Sequence, residues 1–134
     1  MSGIPNSDDC IDQFETLKLR KNCRWIVYKI ESKDGKDLIV VDSIGEREKT
    51  WNDLPSVLPD GEPRFVVFDL DCEYNGMPVD KLLFIAWAPD NSKIRQRVMY
   101  SSCQRAFHSR LLGSRYLEIH NKDDLDLAVI TKKV

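Results

Sequence analysis

Asp69, Asp71 and Glu73 stand at every second position of "RFVVFDLDCEY", so in an extended chain their carboxylates point to one side. Oxygen ligands in that pattern could hold a divalent cation and support metal-assisted hydrolysis. Nothing else completes such a site: the sequence has no Gly-rich phosphate loop, no G-x-S-x-G elbow and no histidine spaced to act as a base. A solvated strand face is the simpler expectation for the three acids. Cys10, Cys23, Cys72 and Cys103 lie far apart without a C-x-x-C pair, and only His108 and His120 could join them. Reduced, mostly buried thiols are expected rather than a zinc site or a disulfide framework. No catalytic residue, metal or cofactor is predicted.

A second group of charged residues suggests binding rather than catalysis. Between Asn91 and Leu117 there is no acid, while Lys93, Arg95, Arg97, Arg105, Arg110 and Arg115 supply six bases. That leaves 14 of the 20 bases against all 22 acids, a net of -8, in the rest of a chain whose overall net charge is -2. Such lopsidedness points to an acidic partner surface, the alternative being a solvated helix face that happens to be basic.

The elements that must position these residues follow from periodicity. The 134 residues suit one domain (1–134), with residues 1–6 expected to form a flexible N-terminus. Ser7 can cap a helix from about Asp8 to Leu19, with Cys10, Phe14 and Leu17 at helical spacing. "RWIVYKIES" and "DLIVVDSI" read as strands joined by a hairpin at Asp34-Gly35. A short helix is expected near Trp51 to Leu58, broken by "PDGEP". The strand "RFVVFDLDCEY" leads through Asn75-Gly76 toward "KLLFIAWAP", apolar on both faces and so a central strand. Pro89 ends it, and a basic helix follows from about Asn91 to Leu112, stopping at Gly113. "RYLEI" completes the strands and a short helix in "NKDDLDLAVITKKV" ends the chain. The order α-ββ-α-ββ-α-β-α predicts an α/β fold, a central mixed sheet flanked by helices on both faces.

On the basic helix, Met99, Tyr100, Cys103, Ala106, Phe107 and Leu111 gather on one arc, which should face the sheet. Ile94, Val98 and Leu112 fall on the other side, near Arg95, Arg97, Ser101, Ser102 and Arg105. An exposed aliphatic stripe ringed by guanidinium groups reads as a protein-binding ridge, unless Ile94 and Val98 tuck under a neighbouring loop. Nucleic acid is a poor fit, because Tyr100 and Phe107 lie on the core arc and cannot stack on bases. No apolar run approaches the roughly 20 residues of a membrane span, and the N-terminus lacks a basic segment before an apolar core, so a cytoplasmic, monomeric protein is expected.

"WAPDNSKIRQRVMYSS", with "MSGI…DDCIDQFETLKL" and "RFVVFDLDCEYNG", resembles the actin-depolymerising factor/cofilin family. The resemblance implies the actin-depolymerising-factor homology fold and a protein that binds actin monomers, preferring their ADP form, and filaments, promoting filament disassembly and turnover. It further implies association with the cytoskeleton in the cytoplasm and is compatible with nuclear entry. It implies that the long helix enters a cleft between two actin subdomains, that Arg95, Arg97 and Val98 touch actin, and that Ser2, Gly3, Ile4, Ile94 and Ser102 join the monomer-binding surface. Ser2 matches the family's inhibitory phosphorylation site, although Pro5 departs from the pattern. Lys81 matches a filament-binding base, but Val79 and Asp80 replace or oppose its neighbours, and Gln104 stands where a lysine is usual. In the tail, Val129 and Ile130 align with a filament-binding acid and base, leaving Lys132 and Lys133 to supply charge. Weak severing is therefore expected, with phosphoinositide head groups as competing ligands. The alternatives are a phosphoinositide- or filament-binding module without depolymerising activity and, last, a metal-dependent enzyme using Asp69, Asp71 and Glu73.

Overall fold

The computed structural model describes residues 4–133. In chain order the elements are helix α1 (Asp8–Arg20), strands β1 (Cys23–Lys33) and β2 (Lys36–Glu46), a 3-10 segment (Trp51–Val57), strands β3 (Arg64–Tyr74) and β4 (Met77–Trp87), helix α2 (Ile94–Arg110), strand β5 (Arg115–Ile119), a 3-10 turn (Lys122–Asp124) and helix α3 (Leu127–Lys133). The strands form one mixed sheet in the order β2-β1-β3-β4-β5. Neighbours pair antiparallel except β4 and β5, which are parallel because α2 carries the chain across between them.

Both hairpins turn on two residues with positive φ, Asp34 (53°) and Gly35 (75°), then Asn75 (52°) and Gly76 (78°). Such turns match the right-handed twist of the strands, and Asn, Asp and Gly tolerate the left-handed region. The second hairpin makes β4 longer than expected: it begins at Met77, so Lys81, the first residue of the expected strand, lies within it.

Alternate strand residues feed two cores. On one face Ile26, Tyr28, Phe65, Val67 and Phe84 pack beneath Phe14 and Leu17 of α1 and Tyr100 and Phe107 of α2. On the other, Val27, Val66, Phe68 and Ile85 pack against Trp51 and Leu54 and against Ile130 of α3. Helices thus cover both faces. In β2, Gly45 lets the Trp25 ring lie on the backbone, where a Cβ would come within 2.2 Å of it.

Three boundaries differ from expectation. α2 begins at Ile94, because Pro89 to Ser92 form a turn closed by Ser92 N–H donating to the Pro89 carbonyl at 3.0 Å. It ends at Arg110, before Gly113 at φ 91°. At the N-terminus, residues 5 and 6 are held in place: Ile39 N–H donates to Pro5 O at 2.9 Å, Ser7 N–H donates to Ile39 O at 2.8 Å, and Asn6 bridges Ile39 in parallel. The flexible segment expected over residues 1–6 therefore does not extend through Pro5 and Asn6.

Candidate functional site

The arc of α2 that faces the sheet anchors the helix. Tyr100 Oη accepts the Ile30 N–H at 2.9 Å, tying α2 to β1. Phe107 meets Tyr28 edge-on at 4.9 Å and lies 5.7 Å from Phe65. At the far end Lys18 Nζ donates to Leu112 O at 2.9 Å, and the Arg110 guanidinium donates to the Asn6 side chain. These contacts fix which face of α2 points outward.

The outward face is the ridge expected from the sequence. Ile94 is 77% exposed, Val98 60% and Leu112 65%, so no loop covers them. Lys93, Arg95, Arg97 and Arg105 make no ion pair among the described residues. The first turn of α2 contains no acid. Cations at a helix N-terminus oppose its dipole, at a cost of roughly 0.3–1 kcal/mol each. Helix stability therefore does not account for bases at this end. Ser101 and Ser102 are exposed but turn their hydroxyls back onto the helix, donating to Arg97 O and Met99 O at 2.8 Å each.

Beside the ridge a chain of polar side chains crosses to β5. Gln104 Nε2 donates to Tyr116 Oη at 3.0 Å, and Tyr116 Oη donates to Glu118 Oε1 at 2.7 Å. His120 Nε2 lies 2.8 Å from Glu118 Oε2, and its Nδ1 lies 2.8 Å from Ala88 O. Both imidazole nitrogens face acceptors, so the geometry suits the doubly protonated ring. The Ala88 carbonyl, ahead of Glu118, raises the His120 pKa above its ordinary value; the Tyr116 hydroxyl and then His120 hold the Glu118 carboxyl below its own. Burial and Glu118 push the Tyr116 hydroxyl up to about 12. Sequence reading missed this network, although E-x-H at the end of a strand places both side chains on one side of an extended chain and was available as a signal.

The acidic strand positions behave differently from expectation. Asp71 and Glu73 are exposed, but Asp69 is only 1% exposed. Lys21 Nζ and Arg47 Nη1 each donate to Asp69 Oδ2 at 2.8 Å, and Arg24 Nη1 donates to its main-chain carbonyl at 2.9 Å. Burial raises the Asp69 pKa, but hydrogen bonds from Lys21 and Arg47 outweigh it and leave the carboxyl below its ordinary range. The expected solvated face is thus corrected at Asp69. Among the described residues no three His, Cys, Asp or Glu side chains come together in a way that could hold a metal.

The remaining sequence-derived residues are scattered. Ser2 and Gly3 lie outside the described residues. Ile4 is half-buried against the α1–α2 core. Lys81 is half-buried on β4 opposite Leu70, while Lys132 and Lys133 are exposed in the last turn of α3. Ile130 is fully buried, so it serves packing. Cys10, Cys23 and Cys103 are buried free thiols and Cys72 is half-buried. No helix among the described residues is long and apolar enough to cross a membrane.

Comparison with known proteins gives consistent matches. Residues 3–134 match the pattern of the family described as cofilin/tropomyosin-type actin-binding protein. Actophorin of Acanthamoeba castellanii is 32% identical over 128 residues, covering 96% of this chain and 91% of the relative. Actin-depolymerizing factor 3 of Arabidopsis thaliana is 34% identical, covering 98% and 95%. Among solved structures, actin depolymerization factor 2 of Plasmodium berghei superposes with a TM-score of 0.82 at 26% identity, covering 98% of this chain and 96% of that one. Cofilin of Streptomyces griseoflavus reaches 0.84 at 24% identity, covering 98% and 96%, a likeness of fold.

Proposed function

The chain belongs to the cofilin/tropomyosin-type actin-binding family, and from that premise we propose that it binds actin through the outward face of α2 and promotes filament disassembly. The observation that carries the assignment of the surface is Arg95 and Arg97, which make no ion pair among the described residues, around the exposed aliphatic side chains Ile94 and Val98. Bidentate guanidinium contacts supply specificity toward carboxylates, and covering the aliphatic pair supplies hydrophobic energy. Ser102 lies on the same helix, and the family resemblance adds Ser2, Gly3 and Ile4 to the monomer-binding residues. Phosphate on Ser2 would add negative charge to a protein that binds through a basic helix and so weaken attraction to an acidic partner. Anionic phosphoinositide head groups would compete for the same arginines.

Filament contact draws on Lys81, Lys132 and Lys133, which are fewer and more dispersed cations than those of the ridge, so monomer binding dominates and severing is weak. The protein acts as a cytoskeleton-associated binding protein with no chemistry of its own. Titration of monomeric actin and cosedimentation with filaments test the reading. Arg95→Ala with Arg97→Ala should lower monomer affinity about thirty-fold, equivalent to about 2 kcal/mol, as for truncated interfacial charge contacts. Unchanged affinity in a normally folded double variant removes the assignment.

A further inference from the structure

On the sheet face opposite α2, a cavity of about 120 Å³ lies between the later half of β3, the start of the 3-10 segment and the start of α3. Trp51, Phe68 and Leu70 form its floor and are 4%, 1% and 2% exposed. The Trp51 and Phe68 rings meet edge-on at 4.9 Å. The Trp51 indole N–H is spent on Leu125 O, so the floor offers a ligand apolar contact only. Leu127 and the half-buried thiol of Cys72 complete the walls. Burial, and then Asp71, pushes the Cys72 thiol above its ordinary pKa, so this wall stays neutral.

Charge enters at the rim. Lys49 is exposed and makes no ion pair among the described residues. Arg24 hydrogen-bonds only to neutral carbonyls, Nη1 donating to Asp69 O at 2.9 Å and Nη2 to Arg47 O at 3.0 Å. Each of these nitrogens keeps a second N–H. Asp71, an acid on the same rim, faces Arg47 Nη2 at 3.8 Å. The balance at the mouth is therefore positive, above an aromatic floor.

Size narrows the ligand further. Well-packed cores leave few voids larger than a water molecule, and an apolar cavity of roughly 150 Å³ can hold one benzene ring. A cavity of this volume, open at its rim, takes one ring and leaves a substituent outside, next to Lys49 and Arg24. An apolar lining with a few polar groups at one side is the usual composition of a small-molecule site.

We propose that this cavity binds a small anion built on a single planar apolar ring, of the arylcarboxylate class, with the ring on Trp51 and Phe68 and the carboxylate toward Lys49 and Arg24. The ligand would enter from the face of the sheet that α2 does not cover, so its binding does not depend on the actin reading.

The test titrates the full chain, with labelled tryptophan indoles, with benzoate and with the uncharged benzyl alcohol. A ligand this small binds in the millimolar range. Benzoate should shift the Trp51 indole resonance and leave that of Trp87, which donates to Pro59 O and lines a separate cleft beside α2, in place. Benzoate should bind about fivefold more tightly than benzyl alcohol, and Lys49→Gln should remove most of that advantage, as for an exposed charge contact. Cys72→Phe places a ring in the cavity itself and should abolish the Trp51 shift without lowering the thermal midpoint. An unmoved Trp51 resonance at about 20 mM benzoate overturns the proposal, whatever the variants do. So does a shift of Trp87 in place of Trp51, which would mark generic anion binding near Arg97. Equal binding of benzoate and benzyl alcohol, or undiminished binding by a folded Cys72→Phe variant, also overturns it.

Discussion

Two groups of basic side chains lie toward opposite ends of β3, and they are used in different ways. Near Asp69, the cations Lys21, Arg24 and Arg47 all point inward, onto one carboxylate and several main-chain carbonyls; Arg24 also donates to Arg47 O and Lys49 O at 3.0 Å each. Near Trp87, Arg95 and Arg97 of α2 are exposed and make no ion pair among the described residues. Charge alone does not distinguish structural from binding residues. What distinguishes them is whether the fold supplies an acceptor. Lys21 makes the point locally: it ends α1 in the left-handed conformation (φ 53°), where glycine is usual, and its side chain reaches Asp69. The conformation costs roughly 1–2 kcal/mol for a non-glycine residue, and the ion pair offsets it.

The largest effect should come from breaking the inward group. Asp69→Ala removes the shared acceptor and leaves Arg47, whose side chain is 24% exposed, without it; Lys21, at 48%, can turn to water. Loss of one partner of a buried pair costs about 3–5 kcal/mol, and the escape route of Lys21 places the expectation near the lower figure. At about 3 °C per kcal/mol for a domain of this size, the thermal midpoint should fall by about 10 °C. Calorimetry checks this; a fall of less than about 2 °C would mean that the inward cations are no more structural than the outward ones. The Arg95→Ala, Arg97→Ala double variant supplies the contrast, with an unchanged midpoint and lost actin affinity.

A smaller effect sharpens the outward side. Val98→Ser removes an aliphatic side chain that is 60% exposed in the free protein. It should change stability by less than about 0.5 kcal/mol, as surface substitutions do. Actin affinity should fall about fivefold, equivalent to about 1 kcal/mol, because the side chain is covered only in the complex. Equal losses in stability and affinity would mean that Val98 belongs to the core after all.

The contrast between the two groups was only half legible in the sequence. Helical spacing placed Tyr100, Cys103 and Phe107 inward and Ile94 and Val98 outward, because a helix lying on a sheet can bury one arc only. The element order was legible for the same reason, with Asp34-Gly35 marking its first hairpin. Asp69 was misread as solvated because strand alternation tells which side a residue faces, not what covers it. The cover comes from Lys21 and Arg47, 48 and 22 residues away. The turn from Pro89 to Ser92 hid the start of α2 for a local reason, since its polar residues also suit a first helical turn.

The smallest effect concerns His120, a half-exposed pair with Glu118 that stands between the two extremes. Its pKa lies above the ordinary 6.5, chiefly because of the Ala88 carbonyl and then Glu118, so the folded protein binds the proton more tightly than the unfolded chain does. That contribution is fully present below pH 6.5 and is lost as pH rises through the folded value. Glu118 runs the other way: its pKa lies below the ordinary 4.5, so its contribution is present above pH 4.5 and is lost as pH falls through the depressed value. The pair should therefore stabilise most between about pH 4.5 and 6.5. Exposure of both side chains, 42% and 44%, keeps the effect modest through solvent screening. His120→Gln removes the titration, and the difference in thermal midpoint between parent and variant should be greatest near pH 5.5 and shrink steadily toward pH 8. A difference that stays flat over that range would show that His120 is held by packing alone, and that the chain from Gln104 to Ala88 gains nothing from the imidazolium charge.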